Sequence, residues 1–358
     1  MRRKTHPVTI GNVTIGGSFP IVVQSMCNTA TLNIEDTLLQ CIRLHAVGAG
    51  MIRFAIQGEK EVAVLALIKN RLRNLKIQTP LIADVHFSPE VALASAQIAD
   101  KVRINPGNFA QSAEDGKLLF NKLIDVCRAH RTALRIGVNH GSLSAATLSL
   151  FGDTPQGMSW LAMQWLKMCK ENDFDQVVVS MKSSNPKVMV TAYREVVAAM
   201  DDAGMAYPLH LGVTEAGNGQ MGRMKGAVAI SALLHEGLGD TIRISLTEPP
   251  ENEVVFGKSV VDWVQRHSLR SAQNGGVFRF REETIEDLIV AASCTIGPML
   301  LDEKISDVEI EAIVGGTMMS KVEQNDFVSD LMQATRFSFS KPEYIACPGC
   351  GRTLFDIE

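Results

Sequence analysis

Two cysteines near the end of the sequence, in Cys347-Pro348-Gly349-Cys350, have a spacing that turns both thiolates toward one point, because proline and glycine between them make a tight knuckle. That geometry serves zinc, an iron–sulfur cluster or a dithiol redox couple. Two sulfurs are half of a four-ligand site. The remaining five cysteines are scattered. Cys41, Cys127 and Cys169 fall in helical stretches and read as buried small hydrophobes, and Cys27, at the end of a strand, reads as packing as well.

A second chemical set is polar and mostly cationic. Arg53, Asp84, Arg103, Asn105, Arg135, Asn139, Lys182, Glu215, Arg243 and Ser245 each lie on, or at the end of, a short β-branched run, where core residues are the rule. If these runs share one rim, four arginines, a lysine and two asparagines converge. Buried, unpaired cations are costly, so such a cluster needs an anion at its centre. The planar fork of arginine donates two parallel hydrogen bonds to phosphate oxygens, which makes a di- or polyphosphate the expected ligand.

The elements that must position these residues repeat. Strands are expected at Pro20–Met26, Met51–Ile56, Pro80–His86, Lys101–Pro106, Ala133–His140, Gln176–Ser183, Pro208–Glu215 and Thr241–Thr247. Most begin about 30 residues apart, one βα unit each. Helical stretches lie between them. Asn33 opens one that Gly48 ends, Ser88-Pro89-Glu90 opens another, and Leu65, Ile68, Leu72 and Leu75 line one face of a third. Eight such units predict an α/β fold, a (β/α)8 TIM barrel, with the site at the carboxyl ends of the strands. Residues 8–17 read as an N-terminal β-hairpin forming a floor under the barrel. Gly217-Asn218-Gly219-Gln220-Met221-Gly222 reads either as a phosphate-binding loop before a helix or as a plain barrel loop. After Pro249-Pro250 the rhythm is expected to stop, leaving a helical stretch at Glu282–Ala292 and the apolar run Ile296–Leu301.

Composition bounds the rest. The chain has 358 residues, 46% hydrophobic and 21% charged, with a formal net charge of −4. That charge gives no reason to expect nucleic acid or an anionic membrane as partner. The start, Met1-Arg2-Arg3-Lys4, leads into no apolar run, and the longest such run, Val62 to Ile68, is far short of a membrane span. Seven cysteines without a secretory leader argue against a disulfide framework and for a reducing cytoplasm.

Several segments, in order, carry a resemblance: Gly11-Asn12-Val13, Gln24-Ser25-Met26, Ile82-Ala83-Asp84-Val85-His86-Phe87, Val102-Arg103-Ile104-Asn105-Pro106-Gly107-Asn108, Arg135-Ile136-Gly137-Val138-Asn139-His140-Gly141-Ser142, Ser180-Met181-Lys182, His210-Leu211-Gly212-Val213-Thr214-Glu215-Ala216-Gly217, Ile242-Arg243-Ile244-Ser245-Leu246-Thr247 and Cys347-Pro348-Gly349-Cys350. Together they resemble the 4-hydroxy-3-methylbut-2-enyl diphosphate synthases, iron–sulfur oxidoreductases of non-mevalonate isoprenoid biosynthesis. The resemblance implies reductive ring opening of 2-C-methyl-D-erythritol 2,4-cyclodiphosphate, with two electrons passing through a [4Fe–4S] cluster from ferredoxin or flavodoxin. It assigns Arg53, Arg103, Arg135, Lys182, Arg243 and Ser245 to the phosphates, and Asn105 and Asn139 to the rest of the substrate. Asp84 and Glu215 become the catalytic candidates. Cys347 and Cys350 would be two of the cluster ligands, with a third cysteine and a glutamate beyond residue 358. On this basis residues 1–250 are the barrel, 251–340 part of the middle domain of plant-like members, and 341–358 the start of the iron–sulfur domain. The sequence is then expected to bind substrate without turning it over, and a homodimer stays open. Two other readings compete: a pterin-binding barrel such as dihydropteroate synthase, and a non-enzymatic scaffold with a zinc knuckle.

Overall fold

The computed structural model describes residues 2–110, 113–267, 276–343, 349 and 351. Two short strands, β1 (Val8–Ile10) and β2 (Val13–Ile15), pair antiparallel across a turn in which Gly11 takes a positive φ. Eight parallel strands follow. The first units are β3 (Val22–Met26) with α1 (Ile34–Ala46), β4 (Met51–Ala55) with α2 (Glu59–Asn74), and β5 (Leu81–Asp84) with α3 (Pro89–Ala96). Next come β6 (Lys101–Ile104) with α4 (Ala113–His130), and β7 (Ala133–Asn139) with α5 (Ala145–Phe151) and α6 (Pro155–Glu171). The last are β8 (Val177–Lys182) with α7 (Pro186–Asp202), β9 (His210–Leu211) with α8 (Gly219–His235), and β10 (Thr241–Ile242) with α9 (Pro250–Arg266). Hydrogen-bonded order runs β8-β7-β6-β5-β4-β3-β10-β9, and a parallel bridge from Val179 to Leu209 joins the two ends. The expected barrel is therefore present, strand for strand.

Helix starts follow local chemistry. Asn33, Ser88, Thr154 and Asn185 accept backbone N–H bonds in the first turns, and Pro89, Pro155 and Pro186 sit where a missing N–H costs nothing. The same device explains a difference from expectation. Pro249-Pro250 does not end the repeat; Pro250 opens α9, which packs on β3 and α8 as the barrel's eighth helix. A second difference is Leu75. Leu65, Ile68 and Leu72 are buried on α2, but Leu75 is the C-cap residue and is exposed, since the helix has ended before the face comes round again.

Beyond the barrel lie β11 (Val277–Glu282), α10 (Ile285–Thr295), α11 (Gly297–Leu301), β12 (Glu309–Val314), β13 (Thr317–Met318) and α12 (Lys321–Ala334). They form a three-stranded sheet in the order β11-β12-β13, with α10 and α12 packed on α8. The expected helix over Glu282–Ala292 begins three residues later, because Thr284 caps it through Asp287 N, and Glu282 closes a strand instead. Among the described residues no helix is long and apolar enough to cross a membrane.

Period-two alternation sorts the barrel interior into tiers. At the amino-terminal end Val8, Ile10 and Ile15 of the hairpin pack on Met51, Ile82, Ala133 and Val178, an apolar floor in the expected place. One step up the strands, Gln24, Lys101, Arg135, Ser180 and His210 are all buried. At the carboxyl end the inward residues are Met26, Arg53, Asp84, Arg103, Asn139, Lys182, Arg243 and Ser245.

Candidate functional site

The carboxyl-end tier encloses a cavity of ≈ 190 Å³, lined also by His86, Arg135, Val213, Thr214, Glu215 and Gly349. Nine of the ten expected barrel residues meet there. The tenth, Asn105, is buried but does not line it: its Nδ2 donates to Ser142 Oγ (3.1 Å) and its Oδ1 accepts from Gly107 N (3.2 Å), tying the loops after β6 and β7 together. A larger groove of ≈ 1070 Å³ lies at the opposite face, where α2, α3, α4 and α6 end. Its Arg73, Arg128, His130 and Arg131 stand at helix carboxyl termini, where cations offset the helix dipole.

The cations around the cavity are not equivalent. Arg103 is pinned on several sides: Nη1 donates to Asp84 Oδ1 (3.1 Å) and contacts His86 Nε2, and Nη2 donates to Gly137 O and Asn139 Oδ1 (both 2.9 Å). Arg53 directs Nε and Nη2 at Met26 Sδ (3.0 and 2.9 Å) and lies 4.0 Å from Asp84. Arg243 makes a two-pronged pair with Glu253. Arg135 is 1% exposed, yet its Nε and Nη1 meet no hydrogen-bond partner among the described residues. Lys182 makes no ion pair with a carboxylate among the described residues. Burial first, then the fields of Arg135, Arg53, Arg243 and Arg103, hold its ammonium well below the ordinary lysine range. Burial followed by the same kind of crowding acts on Lys101 and His210 in the tier beneath.

Two glycines keep room for these side chains. A Cβ on Gly137 would land on Arg103 Nε, and one on Gly212 would lie 2.6 Å from Lys182 Nζ. Glu215 lines the mouth with φ +55, a conformation that costs a non-glycine residue energy and that clusters at functional sites. The Gly217–Gly222 loop does not line the cavity. Gly219 N at the start of α8 donates to Glu248 Oε1 (3.1 Å), so a protein carboxylate takes the place expected for a phosphate. Arg223 holds Glu248 there.

Sequence reasoning passed over His86, Met26 and Glu253. His86 follows Asp84 by two residues, a usable signal of a shared face. Glu253 resembles any acidic residue in a first helical turn, and nothing local marks it. Cys27, Cys41, Cys127 and Cys169 are buried as expected, Cys294 is buried as well, and burial pushes Cys127 and Cys294 up to about 12. Cys347 and Cys350 lie outside the described residues, among which no group of three or more His, Cys, Asp or Glu could hold a metal ion. Their neighbours reach the barrel mouth. Gly349 lines the cavity, and Gly351 packs so closely on Thr29 and Thr31 that no Cβ fits.

Comparison with known proteins adds to this geometry. Residues 5–258 match the family model described as the GcpE TIM-barrel domain. The chain is 45% identical over 281 residues to "4-hydroxy-3-methylbut-2-en-1-yl diphosphate synthase (flavodoxin)" of Parabacteroides distasonis, covering 74% of this chain and 46% of that protein. It is 45% identical over 270 residues to the chloroplastic ferredoxin form of Oryza sativa subsp. japonica, covering 71% and 36%. The chain thus spans about half the length, or less, of these relatives. Among solved structures, 3-dehydroquinate dehydratase of Geobacillus kaustophilus superposes with a TM-score of 0.50 at 13% identity, covering 75% of this chain and all of that one, a likeness of fold alone. Dihydropteroate synthase of Yersinia pestis, at 0.48 and 14% with coverage of 73% and 100%, carries no argument for a pterin ligand.

Proposed function

We infer, from the premise that this chain belongs to the GcpE TIM-barrel domain family, that its cavity binds 2-C-methyl-D-erythritol 2,4-cyclodiphosphate for reductive opening to 4-hydroxy-3-methylbut-2-enyl diphosphate. The observation that carries this reading is the pair Arg135 and Lys182: two buried cations that make no ion pair among the described residues, facing one cavity beside three arginines. Such a site is complete only with a multiply charged anion in it. The apolar lining is limited to side chains such as Met26 and Val213, which leaves no flat slot for a pterin ring.

Ring opening breaks a carbon–oxygen bond to phosphate and expels a hydroxyl as water, consuming two electrons and two protons. The fixed cations hold the diphosphate and counter the charge that builds on it as the ring opens. Asp84 is held by Arg103 and lies near Arg53, so it orients both arginines. Glu215, placed at the mouth by its left-handed backbone, is the candidate proton donor, and Asn139 and Ser245 complete the polar lining. An iron–sulfur cluster, when bound, would supply electron transfer and Lewis-acid chemistry to the reaction. Cys347 and Cys350 would hold it, thiolates being the right donors in kind but only half of a four-ligand set. We place the other ligands outside this sequence and assign a ferredoxin or flavodoxin as donor, in the cytoplasm.

Titration calorimetry with the cyclic diphosphate tests the reading. One ligand should bind per chain, and Lys182→Met should weaken binding at least tenfold while the protein stays folded. Absence of binding, or equal binding by the Lys182 variant, would overturn it. Zinc without sulfide after anaerobic reconstitution would remove the cluster from the proposal.

A further inference from the structure

We propose that Glu253 is a positioning residue of the anion site, fixing the orientation in which Arg243 presents its remaining N–H groups to the cavity, while the anion's charge falls to Arg135 and Lys182. This rests on the reading of the cavity as a diphosphate site. Glu253 lies in the first turn of α9, outside the barrel strands, and is 1% exposed. Its carboxylate accepts from Arg243 Nε (3.0 Å), Arg243 Nη2 (2.8 Å), Ser25 Oγ (2.9 Å) and Leu246 N (3.2 Å). Four donors on two oxygens fully engage the group, and they come from β3 and from the segment after β10. Glu253 thereby joins the first and last barrel strands at the rim.

The consequence for Arg243 is specific. Glu253 occupies the Nε/Nη2 edge of the guanidinium, which leaves the Nη1/Nη2 end to meet an anion. Both N–H groups of Nη1 and one of Nη2 remain; Nη1 lies 3.9 Å from Met26 Sδ, at the cavity wall. The Arg243–Glu253 pair contributes little net charge, whereas among the described residues neither Arg135 nor Lys182 is ion-paired with a carboxylate. The cavity therefore has a charged corner for the phosphate and a neutral, rigid corner that sets its orientation.

Charge and position make opposite predictions, which gives the test its force. If Glu253 acted only through charge, Glu253→Gln would make the pocket more cationic and bind anions more tightly. If it positions Arg243, the same change weakens binding. We would titrate inorganic pyrophosphate into the wild type, Glu253→Gln, Arg243→Met and the double variant. Glu253→Gln should weaken binding about tenfold, and the double variant should bind no worse than Arg243→Met alone, because Glu253 acts through Arg243. Tighter or unchanged binding by Glu253→Gln, or full additivity in the double variant, would overturn the proposal. Should Glu253→Gln fail to fold, Ser25→Ala removes one donor without touching charge and should shift affinity in the same direction by a smaller factor; no shift would again count against positioning. Wild type that ignores pyrophosphate and the cyclic diphosphate alike sinks both readings. Loss in Lys182→Met without loss in Glu253→Gln sinks positioning alone.

Discussion

At the scale of single residues, the site is built from constraints on space as much as from charge. Gly137 faces inward between Ala133–Arg135 and Asn139 on β7, and its missing Cβ is the room in which Arg103 lies. Gly137→Ala should displace that guanidinium from Asp84 and Asn139 and cost about 1–3 kcal/mol of stability, as small-to-large changes in packed sites do. Denaturant midpoints would read the stability, and pyrophosphate titration should show weakened binding in the same variant. A neutral outcome in both would mean that Arg103 has a second acceptable position. The arginines at this rim were legible in the sequence because they interrupt β-branched runs at period two. Their differing burdens were not. Whether an arginine is already paired depends on a carboxylate 10 or 19 residues away, as with Glu253 for Arg243 and Asp84 for Arg103.

At the scale of elements, α8 and α12 are joined by the chain that leads to the cysteine pair. Lys225 on α8 is 1% exposed and lies 2.8 Å from Glu343, which also pairs with Arg336 at 2.5 Å; Lys341 contacts Asp330 on α12. The partners are unequal. Glu343 has two cations, but Lys225 has only Glu343 among the described residues. Glu343→Ala should therefore cost roughly 3 kcal/mol by stranding a buried ammonium, and Lys225→Met roughly 1 kcal/mol or less. Thermal denaturation of the two variants checks the order, and equal losses would show that Lys225 finds another acceptor. This contact was not read from the sequence, where α12 went unplaced, whereas α10 was legible as the helical stretch Glu282–Ala292 apart from its start.

For the whole molecule, the buried cations and the buried thiols set the pH dependence of stability. Lys101 and Lys182 are held below the ordinary lysine range in the folded state, burial being the main cause. The unfolded chain then binds protons that the native state does not, up to an ordinary value of about 10.4, so stability rises with pH across that window. His210 adds the same sign below about 6.5. Cys27, Cys127, Cys169 and Cys294 act oppositely: the contact with Cys41, then burial, raises Cys27, and burial raises the other three. Above about 8.5 the unfolded thiols ionise while the native ones do not, and stability falls. Melting of the ligand-free protein from pH 6 to 10 should show a maximum at about 8 to 8.5. Pyrophosphate should move it to lower pH by favouring protonated lysine. A maximum at pH 6 without ligand would mean that the lysines are charged in the empty barrel.

The sequence by itself determined the number of barrel units, the hairpin floor, the helix starts marked by Asn33 and Ser88-Pro89, and the inward cations, because each follows from spacing and local chemistry along one stretch of chain. Only the tertiary structure decided that Asn105 braces two loops, that Glu248 fills the helix end beside the glycine-rich loop, that Pro250 begins a helix, and that Glu253 holds Arg243. Those outcomes depend on strand register and on closure of the barrel between Val179 and Leu209, which bring together residues that no local pattern relates. Side-chain pairing across a barrel is a property of the closed ring, and no single strand carries it.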